Sequence, residues 1–214
     1  PAWLGQGLVP AARHVFATPV AEHPPSDLPP DSALRDAVLA VAAALEAAET
    51  ELTALDTVTG DGDLGLSLTR GAAAVRALPD SAWGSAHDAL TAMAGALRRS
   101  IAGSSGPFYA AALLRAASAL PRTGQPTAAE WSGALAAGIA AISALGGAGP
   151  GDRTMLDALY PASDTFAQGL SAGMDPAVAW AGAVAAAEAG VEATRPLHPR
   201  FGRAAYLGAR AVGH

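Results

Sequence analysis

Between Ser32 and Leu55 the apolar side chains return every three or four residues. Leu34, Val38, Val41, Leu45, Ala48, Leu52 and Leu55 share one helical face. The rhythm recurs at Trp83, Ala86, Leu90, Met93, Leu97 and Ile101. In "TAAEWSGALAAGIAAISAL", Thr127 and Glu130 stand at capping-box spacing ahead of a stripe of Trp131, Leu135, Ile139 and Ile142. Asp175 and Pro176 open another helix, read as running to about Arg195 and stopping before Pro196. Further helices are expected around 67–78, 107–120, 154–169 and 202–211, with Pro161 a kink or an early break. No comparable set of alternating, β-branched segments occurs, and the many alanines let helices approach closely. The pattern predicts an all-α bundle or a closed helical barrel, whose loops are the places to look for chemistry.

The 214 residues are 51% hydrophobic, enough for one sizeable core. A net charge of -6 argues against a nucleic-acid backbone or an anionic membrane as partner. All 13 positive side chains are arginines, which excludes a phosphate-loop lysine and a Schiff base. An anionic ligand must therefore be held by arginine, backbone amides or a metal. With no cysteine there are neither disulfides nor thiolate metal ligands. Every apolar run of membrane-spanning length is interrupted by charge, glycine or proline, and the expectation is a soluble, cytoplasmic protein. Residues 1–31, with "ATPVAEHPPSDLPPD", read as a linker or N-terminal arm whose Trp3, Leu4 and Phe16 could pack on a neighbour; 32–214 read as the helical domain. The chain opens on Pro1, as a processed chain or a fragment does.

Three loops stand out. "LDTVTGDGDLG" places Asp56, Asp61 and Asp63 among Gly60, Gly62 and Gly65. Such carboxylates repel one another unless a cation collects them, and magnesium suits hard oxygen ligands. The same residues could simply cap a helix starting near Ser67. A calcium loop is a poor alternative, because its later ligands and closing glutamate are absent. In "IAGSSGPFYA", Gly103, Ser104, Ser105 and Gly106 offer amides and hydroxyls before a helix, a recipe for anion binding or a small-residue connection. In "GGAGPGDRTMLDALYPA", Gly146, Gly147, Gly149 and Gly151 precede Asp152 and Thr154, which can cap the next helix. Arg153 there could reach a phosphate or be a solvated side chain on a glycine-rich hairpin. Arg200, Arg203 and Arg210 near the end could neutralise phosphate, bind an acidic partner or form an ordinary basic helix face.

Taken in order, "LDTVTGDGDLG", "AGSSGPFY", "GDRTMLDALYPA", "EAT" at 192–194 and "GRAAYLGARAVGH" resemble the DhaL, or Dak2, nucleotide-binding domain of dihydroxyacetone kinases over about residues 32–214. That resemblance implies an antiparallel eight-helix barrel with ADP or ATP at one end. It implies that Asp56, Asp61 and Asp63 coordinate two magnesium ions bridging the phosphates, which Gly103, Ser104, Ser105 and Gly106 face. The loop containing Gly147 and Gly151 would lie beside the nucleotide, Thr154 and Met155 near its base or ribose, and Arg203 at the phosphate end. The ketose would sit on a DhaK-type domain, fused or separate, whose histidine holds it as a hemiaminal. A homodimer through the full-length protein is compatible with this arrangement.

Such a domain needs charge compensation and alignment more than a nucleophile of its own. The leading expectation is the nucleotide-binding part of an ATP-dependent dihydroxyacetone or small-ketose kinase, moving the γ-phosphoryl group to a substrate hydroxyl. The alternatives are a phosphotransferase-system subunit with ADP as a retained coenzyme, a non-catalytic nucleotide-responsive module, and a plain helical scaffold. Leu64 stands where phosphotransferase-dependent members carry histidine, which leans the reading toward free ATP. Ala102, Ala205 and Ala209 replace a glycine, a serine and a glutamate of the family pattern, and the chain stops at His214 where relatives continue into a last helix that completes the barrel.

Overall fold

Trp83 and Leu156 are the largest fully enclosed side chains, and each anchors a separate part of the core. The computed structural model describes residues 32–103 and 105–213. The arm read over 1–31, together with Ser104 and His214, lies outside the described residues. The described elements are helices α1 (Ser32–Ala47), α2 (Glu49–Thr59), α3 (Leu64–Arg76), α4 (Ala86–Ser100), α5 (Ser105–Ala119), α6 (Ala128–Gly146), α7 (Leu156–Ser171), α8 (Pro176–Ala193) and the short α9 (Ala204–Leu207). Single 3-10 turns occupy Asp80–Trp83 and Gly208–Ala211, and no strand occurs among the described residues. This is an all-α, multi-helix bundle.

Packing follows chain order. Helices α1 and α2 both lie on α3, and from α3 to α8 each helix packs on the next. Trp83 joins Val75, Ala82 and Ala89, while Leu156 joins Ile139, Ile142 and Ala148. Ala86, Leu90, Ala117, Leu120 and Ala134 form a third cluster, where α4, α5 with the residue after it, and α6 meet. Gly138 of α6 lies so near the Ala112 carbonyl of α5 that a Cβ would stand 3.0 Å from its oxygen. Leu34, Leu90, Leu113, Trp131, Phe166 and Trp180, from six helices, face an apolar cavity of about 500 Å³. Helix α6 has the length and apolarity of a membrane span; here it packs between α5 and α7, burying Ser132, Ala134, Gly138, Ile139 and Ile142.

The expected caps are present. Thr127 Oγ1 accepts from Glu130 N while the Glu130 carboxylate accepts from Thr127 N, and Asp175 accepts from the amides of Ala177 and Val178. Four expectations need correction. The 34–55 stripe is two helices, because Ala48 at φ -87° and ψ 3° interrupts it, and Val41 and Leu55 are each 61% exposed. Trp83 lies in the 3-10 turn, since Ser85 caps α4 through Asp88 N. Of the kink or early break expected at Pro161, the break does not occur, since α7 runs through it to Ser171; the Asp157 carbonyl that loses its amide partner there faces Gly190 of α8. The 202–211 segment is a four-residue helix and a 3-10 turn joined at Gly208, whose φ is 54°, so its arginines do not share one helix face.

Candidate functional site

Helix α2 ends by carrying Asp56 to the turn that starts α3. One carboxylate oxygen from each of Asp56, Asp61 and Asp63 lies within 4.8 Å of the others. Asp56 is half-buried and the other two are exposed. Asp56 Oδ2 accepts from Asp63 N at 2.9 Å and Leu64 N at 3.2 Å. It thereby satisfies two amides at the start of α3, whereas Asp63, at the N-cap position, makes no side-chain cap bond. The expected cap is therefore present, with Asp56 as the capping residue, and the three carboxylates converge beside it. Gly62 makes the bend possible: its φ is +76°, and a Cβ there would also stand 2.8 Å from Thr57 Oγ1.

A cation of the chain itself pairs with one member of the cluster. Arg203, just before α9, brings Nη1 within 2.5 Å of Asp61 Oδ2. The sequence gives no spacing rule linking positions 61 and 203; only the fold brings them together.

The residues leading to Arg203 line a second feature. Phe201 and Gly202 border a cavity of about 450 Å³, with Ser105 and Phe108 of α5, Ile142 and Gly146 of α6, and Ala148, Arg153, Thr154, Met155 and Leu156 of the following loop and turn. Of the expected ligand-binding residues, Ser105, Arg153, Thr154 and Met155 line this cavity. Gly103, Gly106, Gly147 and Gly151 do not, although Gly106 is buried in the first turn of α5 and Gly147 ends α6 in the left-handed conformation. Sequence reasoning missed Phe108, Phe201 and Gly202. Their signal is position: Phe108 follows the Gly-Ser-Ser-Gly motif, and Phe201-Gly202 precedes the basic segment.

The loop after α6 is held by carboxylates. Asp157 accepts from Gly151 N and from Thr154 N, the latter at 2.8 Å. Asp152 does not cap α7 as expected; it accepts from Gly149 N at 2.8 Å and pairs with Arg200 at 3.2 Å, while Thr154 Oγ1 accepts from Leu156 N. Arg153 adopts φ 59°, sparsely populated for a residue with a Cβ, and its Nη1 donates to the Leu197 carbonyl at 3.1 Å. Loop 149–155 and segment 195–203 are thus pinned together beside the cavity.

Comparisons with known proteins identify the family of the chain. The DAK2 domain model matches residues 58–214. The chain is 36% identical over 181 residues to the D-erythrulose kinase of Mycolicibacterium smegmatis, covering 81% of this chain and 30% of that one. It is 33% identical over 193 residues to the ADP-binding subunit DhaL of a PEP-dependent dihydroxyacetone kinase of Listeria innocua, covering 88% and 89%. Among solved structures, the dihydroxyacetone kinase of C. freundii in complex with AMP-PNP and Mg2+ is similar, with a TM-score of 0.61 at 28% identity, over 82% of this chain and 32% of that one. The chain thus spans about a third of the kinases and most of the Listeria subunit.

Proposed function

Because the chain belongs to the DAK2 domain family, matching its model over residues 58–214, we propose that it binds a nucleoside di- or triphosphate and works with a DhaK-type domain in phosphoryl transfer to a small ketose. The observation that carries this reading is the joint geometry of the acidic cluster and the cavity, bridged by residues 201–203. The donor set fits magnesium: three carboxylates at mutual reach offer hard oxygen ligands, and one of them, Asp61, already pairs with a cationic group, the Arg203 guanidinium. Asp56, Asp61 and Asp63 would hold the metal, of which the family resemblance implies two ions. Bound there, magnesium supplies charge compensation for the phosphates.

The chain's own groups divide the remaining work. The apolar walls of Phe108, Ile142, Met155 and Phe201 receive the base, and Ser105 and Gly103 lie at the turn leading toward the phosphates. Arg203 supplies positive charge beside the acidic cluster. The substrate hydroxyl would arrive on the partner domain and attack the terminal phosphorus in line. The packing of each helix on the next is compatible with the antiparallel eight-helix barrel that the family resemblance implies around this site.

Two phosphoryl donors are compatible with the site. Retained ADP, recharged by a phosphotransferase protein, is the better supported, through the likeness to the ADP-binding subunit of the PEP-dependent Listeria kinase. Direct use of ATP is favoured by Leu64 and by the likeness to the erythrulose kinase. Calorimetry with magnesium and ADP or ATP tests the common core: Asp61→Asn with Asp63→Asn is expected to abolish magnesium-dependent binding, and unchanged affinity in the folded variant would sink the reading. ADP that survives purification, with transfer requiring PEP and phosphotransferase proteins, selects the first donor; turnover of free ATP with a DhaK domain selects the second.

A further inference from the structure

Arg203 occupies the position a metal would contest. Its Nη1 lies 2.5 Å from Asp61 Oδ2, and Asp61 is one of the three carboxylates within 4.8 Å of one another. The preceding residues, Phe201 and Gly202, form part of the cavity wall. Three consecutive residues therefore touch both halves of the site. Upstream, Arg200 is anchored on Asp152 and Leu197 on Arg153, so any movement of Arg203 is focused into residues 201–203.

Resting on the metal-nucleotide reading above, we propose that Arg203 is a built-in cation that competes with the metal for Asp61, making residues 201–203 a strap released by metal binding. A guanidinium and a divalent ion cannot both take the same carboxylate lone pairs at contact distance, and the divalent ion carries the higher charge density. With Asp61 claimed by the metal, Arg203 is turned out toward the phosphates and Phe201 moves with it against the base. In the metal-free state the strap offsets the mutual repulsion of the aspartates. The Arg203 and Asp61 side chains are 65% and 34% exposed, so the competition is modest and the metal wins readily.

The test is Mn2+ binding to the full, nucleotide-free chain, followed by the paramagnetic resonance of free Mn2+. Arg203→Gln is expected to bind Mn2+ about threefold to tenfold more tightly than wild type. Arg203→Lys, which keeps the charge, is expected to remain within about twofold. Because the chain has no lysine, trypsin reads its arginines alone, and saturating Mn2+ should speed cleavage after Arg203 in the wild type; this measurement stands even if Arg203→Gln fails to fold. Unchanged or weaker Mn2+ binding in folded Arg203→Gln, or no change in wild-type cleavage, overturns the strap while leaving the cradle intact. Full Mn2+ affinity in the Asp61→Asn, Asp63→Asn double variant would instead overturn the underlying site.

Discussion

Gly65 of α3 lies against the backbone carbonyl of Glu49 in α2, with Thr53 Oγ1 alongside, closer than any side chain would permit. This crossing lets Asp56, farther along α2, reach the amides of Asp63 and Leu64. Gly65→Ala must push the helices apart or bend them, and is expected to cost about 1–3 kcal/mol in urea unfolding. The same displacement should weaken Mn2+ binding, since the Asp56 carboxylate is aimed by that contact. A variant as stable as wild type with unaltered Mn2+ affinity would refute the assignment.

Phe201 is 38% exposed and borders the cavity, while Phe108 also packs on the Leu156 core. The two should therefore separate binding from folding. Phe201→Ala is expected to weaken nucleotide binding about tenfold, as loss of base–aromatic stacking does, with little change in melting temperature. Phe108→Ala is expected to lower both. Calorimetry paired with thermal unfolding checks this, and a Phe201→Ala protein with wild-type affinity would remove the ring from the base site.

The loop after α6 depends on one carboxylate. Asp157 gathers the amides of Gly151 and Thr154, which flank the strained Arg153. Asp157→Ala leaves both donors without their partner and is expected to cost about 1–3 kcal/mol. It should also reduce nucleotide affinity, because Thr154 and Met155 line the cavity only while the loop keeps its shape. Asp157→Asn retains one acceptor oxygen and should lose less on both measurements.

What the sequence made legible was local. Caps such as Thr127 with Glu130, and the bend at Gly62, follow from contacts within a few residues, and the aspartate triad spans only Asp56 to Asp63. The pairing of Arg203 with Asp61 crosses most of the chain, and no local pattern encodes it. Asp157 was hidden for a different reason: an aspartate in the first turn of a helix reads as a favourable end charge, while here it reaches backward to two loop amides. The break at Ala48 was invisible because the residue is an excellent helix former, and tertiary contact with α3 accompanies a break that propensity opposes.

Glu130 gives the start of α6 a pH dependence. Its carboxyl is held below the ordinary carboxylate range, first by the Thr127 amide, at 2.7 Å, and then by the Thr127 hydroxyl, at 2.9 Å. A depressed folded value means that this contribution is fully present above the unfolded value and is lost as pH falls through the folded one. Thr127→Ala removes the hydroxyl and keeps the amide, so the Glu130 value is expected to rise only partway, as a carboxyl-carbon NMR titration would read. The variant should melt below wild type at neutral pH, and the gap should narrow in acid as Glu130 becomes protonated in both proteins. A gap that stays constant down to about pH 3, below the unfolded carboxylate range, would mean that the cap acts without the glutamate.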